Sequence, residues 1–104
     1  MVIIRGRFKW KQGEAPLAAI GALTARIRAS HRGNIDYRIA IDSGDSSQMF
    51  LNEMWEAQDD FVEHGKSEEV RELVAMLHGR VSNVALNLHG VASSTELTVD
   101  LGQT

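Results

Sequence analysis

The sequence predicts an α+β fold: one antiparallel sheet with helices packed on a single face. Three observations carry this. Four segments alternate apolar and polar residues with the period of two that marks a half-buried strand. Two others repeat apolar residues at helical spacing. The segments follow one another in the order β-α-β-β-α-β, for which two helices on one side of a four-stranded antiparallel sheet, the ferredoxin-like solution, buries every apolar face.

The first strand is "VIIRGRFKW". Val2, Ile4, Phe8 and Trp10 share one side, and Arg5, Arg7 and Lys9 the other. "KQGEAP" breaks it, and Pro16 suits the first turn of a helix. Leu17, Ile20, Leu23 and Ile27 then form an apolar stripe that ends near "ASHRGN". "IDYRIAID" alternates again, with Ile35, Tyr37, Ile39 and Ile41 inward, and "SGDSS" is a turn by composition. "QMFLNEMW" is the third strand.

The acidic stretch "EAQDDFVEHGKSEE" is helical and is split in two by Gly65. Ser67 is the expected cap of the second piece, where Glu68 and Glu69 suit the helix dipole. Val70, Leu73, Val74 and Leu77 complete its apolar stripe, and Gly79 its stop. "NVALNLHGV" is the fourth strand, with Val84, Leu86 and Leu88 inward. Leu97, Val99 and Leu101 in residues 91–104 predict a fifth strand or an arm.

The 104 residues suit one domain, residues 1–104. With no cysteine there is no disulfide framework, thiolate metal site or cysteine nucleophile. A net charge of −3 with dispersed basic residues argues against nucleic acid as a partner. No run of apolar residues reaches membrane-span length, and no secretory leader is apparent, so the expectation is a cytoplasmic protein that does not enter the membrane. His31, His78 and His89 are scattered and show no metal-ligand spacing, so no metal is expected.

One constellation stands out. Glu53, Trp55, Phe61 and His64 surround a strand-to-helix corner. They can be plain core, or they can wall a pocket that holds a proton-transfer group. Glu53 shares the strand phase of Trp55, and a buried carboxylate needs a partner, with His64 or an arginine as candidates. Asn52 has the opposite phase and points to the other sheet face.

The same residues carry a resemblance. Glu53 two before Trp55, followed by Phe61 and His64, is similar to the signature of the antibiotic biosynthesis monooxygenase domain, of the dimeric α+β barrel superfamily. Gly33 and Tyr37 match that family's Gly-x-x-x-Tyr strand, and "KQG" resembles its Lys-Pro-Gly start. The likeness is clearest over residues 1–80. It departs where the family often has Ser-Pro-His-Phe, since "SEEV" puts Glu69 in the place of a second histidine. Gly6 and Val74 stand where the haem-degrading branch has its asparagine and histidine, so haem degradation is not implied.

The resemblance implies a homodimer whose sheets meet face to face. It also implies O₂-dependent oxidation of a small quinol-like or polycyclic phenolic compound without metal, flavin or other cofactor. His64 would be the catalytic base and Glu53 its orienting partner; Trp55, Phe61, Tyr37, Asn52 and Phe8 would contact the substrate. The alternatives are a barrel that binds a small molecule without catalysis, and an isomerase of a small carbonyl metabolite.

Overall fold

The computed structural model describes residues 1–98, 100 and 102. Its elements are β1 (Val2–Trp10), α1 (Leu17–Ser30), β2 (Asn34–Asp42), β3 (Asp45–Trp55), α2 (Gln58–His64), α3 (Glu68–Leu77) and β4 (Val81–Gly90). The sheet is antiparallel with strand order β2-β3-β1-β4. The connections around α1 and the α2–α3 pair each pass over a neighbouring strand, as the ferredoxin-like arrangement requires.

The alternation of β1 is realised directly. Val2, Ile4, Phe8 and Trp10 are buried, and they pack with Ile20, Leu23 and Ile27 of α1 and with Met49 and Trp55 of β3. Leu17 departs from its expected place in the stripe: it is the first residue of α1 and is half exposed. Ser67 caps α3, its hydroxyl oxygen accepting from the Val70 amide at 3.2 Å. Gly79 follows α3 with φ +74°, the left-handed conformation that ends many helices.

Two strands depart from simple alternation. The register of β2 against β3 slips between Asn34 and Asp36, leaving Ile35 as the extra residue of a bulge, 48% exposed and not inward. The side-chain amide of Asn34 donates to the Asp36 carbonyl oxygen at 3.0 Å and spans the irregularity. The β2–β3 turn is also tighter than composition suggests: Asp42 pairs with Asp45, so residues 45–47 belong to β3.

In β4 a slip opposite Arg7–Lys9 coincides with Asn83 at φ +53°. This bulge puts both Val81 and Val84 on the helix side. Leu86 and Leu88 lie there too, opposite Gly6 and Ile4 of β1. They are not buried, however: Val84 and Leu86 are each 59% exposed and Leu88 is 45% exposed. The helices cover the β2-β3-β1 part of the sheet and leave β4 bare. Val74, the outer member of the α3 stripe, is exposed for the same reason. Residues 91–98 form neither helix nor strand, and Val99 and Leu101 of the expected terminal strand lie outside the described residues. Among the described residues, no helix is long and apolar enough to cross a membrane.

Candidate active site

The bare face of β4 is one wall of a cavity of about 580 Å³. Leu73, Val74 and Leu77 of α3 form the opposite wall, and Ile4, Phe8 and Leu51 of the sheet form its floor. Its lining at this end is mostly apolar, with Asn87 and His78 as the polar members. The polar groups Glu53, His64 and Tyr37 gather with Phe61 at the other. An apolar enclosure with a few convergent polar groups is the usual form of a small-molecule site.

Each polar group is delivered by a local feature of the chain. Strand alternation turns Glu53 to the helix side, where it is 4% exposed. His64 is the last residue of α2, a seven-residue helix that starts three residues after β3 and folds straight back over it. Arg32 anchors that helix through an ion pair with Asp60 at 3.0 Å. Tyr37 reaches the same space from β2, and its ring lies 5.2 Å from that of His64.

Glu53 accepts a hydrogen bond from the Trp55 indole nitrogen at 3.0 Å. Its Oε1 lies 3.6 Å from His64 Nε2, too long for a hydrogen bond but close enough for proton exchange after a small movement. Burial pushes the Glu53 carboxyl up to about 7, against the opposing hydrogen bond from Trp55. Burial also lowers the His64 imidazole to about 4; His31 adds to this and Glu69 partly offsets it. The pair is therefore not an ion pair. Between about pH 4 and 7 it is a neutral acid beside a neutral imidazole. A helix C-terminus favours a histidine cation by roughly 0.3–2 kcal/mol, and desolvation overrides that preference here. Burial, with the Glu53 charge, raises the Tyr37 phenol well above its ordinary value, so Tyr37 stays a neutral hydrogen-bonding group.

Two further residues extend the cluster. His31, at the C-terminal cap of α1, has Nδ1 2.8 Å from His64 Nδ1. Its Nε2 lies 3.2 Å from Glu69 Oε1, in the first turn of α3. Glu69 is held below the usual carboxylate range, first by its hydrogen bond with His31. A continuous line thus runs from Glu69 through His31 and His64 to Glu53 and Trp55.

The expected site residues separate into three groups. His64, Glu53, Tyr37, Phe61 and Phe8 line the cavity. Trp55 is fully buried behind them, with its ring 4.6 Å from His64; it supports Glu53 and does not reach the cavity surface. Asn52 does not join the site either. It lies on the far sheet face, paired in register with Arg5 and Arg38. Sequence reasoning missed His31, because its partners are 33 and 38 residues away and no periodicity links them. Glu69 was visible only as the residue replacing a second histidine.

The sequence profile described as antibiotic biosynthesis monooxygenase matches residues 1–76. No curated protein matches in sequence. Solved structures do match in fold. A candidate antibiotic biosynthesis monooxygenase from Deinococcus radiodurans is 16% identical with a TM-score of 0.76, covering 95% of this chain and 100% of that one. A counterpart from Nitrosomonas europaea is 12% identical with a TM-score of 0.80, covering 89% and 100%. SnoaB, a cofactor-independent oxygenase from Streptomyces nogalater, is 15% identical with a TM-score of 0.73, covering 89% and 94%. With its profile spanning most of the sheet, all three helices but the last residue of α3, and the polar end of the cavity, the chain belongs to the antibiotic biosynthesis monooxygenase family.

Proposed function

We propose that the protein is a cofactor-independent monooxygenase of a small quinol-like or polycyclic phenolic compound. The observation that carries this reading is the buried Glu53–His64 pair at the polar end of a mostly apolar cavity. Triplet O₂ reacts poorly with closed-shell organic molecules but accepts an electron from an electron-rich carbanion or phenolate. The protein's task is then to hold a planar substrate, take one proton and shelter the anion from water. In this reading Nε2 of neutral His64 takes the proton. The Glu53 carboxylate 3.6 Å away stabilises the imidazolium, so the pair binds one proton with an apparent pKa near 7. Tyr37 offers a neutral donor to the developing oxyanion. Phe61 and Phe8 supply aromatic surface, and the β4 wall takes the apolar body of the substrate.

The test is O₂ uptake by metal-free protein against quinols, anthrones and naphthols, corrected for autoxidation. Uptake that depends on the protein and is lost in His64→Ala supports the proposal. Tight binding of these compounds without uptake points to a binding barrel, and conversion of a carbonyl compound without O₂ to an isomerase.

The reading includes a homodimer formed through the far sheet face, where Arg5 and Arg7 stand beside the Arg38–Asp36 ion pair of 2.9 Å. Charges buried by such contact need partners, and a second copy would supply them by two-fold symmetry. Light scattering is expected to give about twice the 11.5 kDa chain mass; a monomer at micromolar concentration argues against this assembly.

A further inference from the structure

We infer that Glu69 and His31 are positioning residues that set the tautomer of His64, placing its proton on Nδ1 and leaving the Nε2 lone pair free towards the cavity. Hydrogen-bond bookkeeping leads there from the surface inwards. Glu69 is ionised over the neutral range and can only accept, so the 3.2 Å contact requires the proton on His31 Nε2. In the state where His31 carries a single ring proton, its Nδ1 has only a lone pair. The 2.8 Å contact between the two Nδ1 atoms requires a proton from one side, and His64 must supply it. Nε2 of His64 is left unprotonated, and it is the nitrogen nearest Glu53. The orientation is fixed as well as the proton, since the His64 ring is held between His31, Tyr37 and Trp55.

The arrangement has the logic by which a carboxylate orients a histidine through its second nitrogen, lengthened by one imidazole. Glu69 is partly exposed, with 19% of its side chain open, whereas His64 is buried. The chain of bonds therefore links the cavity to the protein surface without opening the cavity to water. If His64 gains a proton on Nε2, its Nδ1 proton can pass to His31, whose cation Glu69 then stabilises. Each transfer moves one proton and conserves charge across the pair.

The functional consequence rests on His64 being the base, but the tautomer itself is measurable without any substrate. The test is heteronuclear NMR of the imidazole nitrogens in the full chain at pH 8. His64 is expected to show a protonated, pyrrole-type Nδ1 and an unprotonated, pyridine-type Nε2. In Glu69→Gln, an isosteric change at a partly exposed site, the constraint on His31 is lifted and the pyridine-type signal shifts towards Nδ1. His31→Leu, which removes the acceptor altogether, gives the same shift. A protonated Nε2 in the unsubstituted protein overturns the inference, as does a His64 tautomer unchanged in either folded variant. Failure of the oxygen-uptake assay leaves this result standing, so the two proposals fail separately.

Discussion

Glu53→Gln lowers kcat/KM by about 10²–10³ at pH 8, within the range general acid–base groups contribute, and removes the inflection near pH 7 from the rate profile. The reason lies in the direction of the two titrations. Burial holds His64 near 4, which makes it a weak base alone, while Glu53 titrates near 7. In the proposed mechanism the reactive form is ionised Glu53 beside neutral His64, so the rate is expected to rise with pH through about 7 and level off above it. Glutamine keeps the acceptor for the Trp55 indole nitrogen but carries no charge to stabilise an imidazolium. The measurement is a pH series of kcat/KM on a substrate identified by oxygen uptake. An inflection near 7 that persists in Glu53→Gln would assign the titration to another group and remove Glu53 from the mechanism.

The same two groups give opposite pH dependence of stability. Glu53 has a folded pKa of about 7, above its ordinary 4.5. The folded state holds that proton more tightly, so its contribution is full below 4.5 and is lost as pH rises to 7. The loss amounts to about 3 kcal/mol. His64 has a folded pKa of about 4, below its ordinary 6.5. Its contribution is lost below 4 and gained as pH rises to 6.5, on the order of 2 kcal/mol once solvent screening is allowed for. In the native protein the two slopes largely cancel between pH 4.5 and 6.5. Urea unfolding at fixed protein concentration should separate them. Relative to the native chain, Glu53→Gln gains stability as pH rises through this window, and His64→Gln loses it. Parallel profiles for all three proteins would mean that neither group is desolvated as described.

The parts of the fold that were legible in the sequence are those governed by local period. The phases of β1 and β3 placed Val2, Ile4, Glu53 and Trp55 on the helix side, and the structure keeps them there. Ile35 failed because a bulge shifts the phase, and nothing in "GNIDY" marks where the extra residue falls. The period of β4 gives the face of Val84, Leu86 and Leu88 but not their depth. Period reports which side a residue faces; coverage depends on where α3 lies over the sheet. The site divides in the same way. Glu53, Phe61 and His64 lie within twelve residues and could be read as a group. His31 and Glu69 enter only through tertiary packing, since the ends of α1, α2 and α3 must converge before their side chains meet.

The cavity draws its two ends from different stretches of chain. The proton-handling residues fall between His31 and Glu69, on β2, β3 and the helix ends. The bare wall is built from Val84, Leu86 and Leu88 of β4 and faces Val74 of α3. Substitutions in the wall change the shape offered to a ligand while the buried network keeps its geometry. On the proposed function, a lineage carrying this fold could therefore exchange one ligand for another by surface-accessible changes in β4 while the proton-handling residues stay as they are.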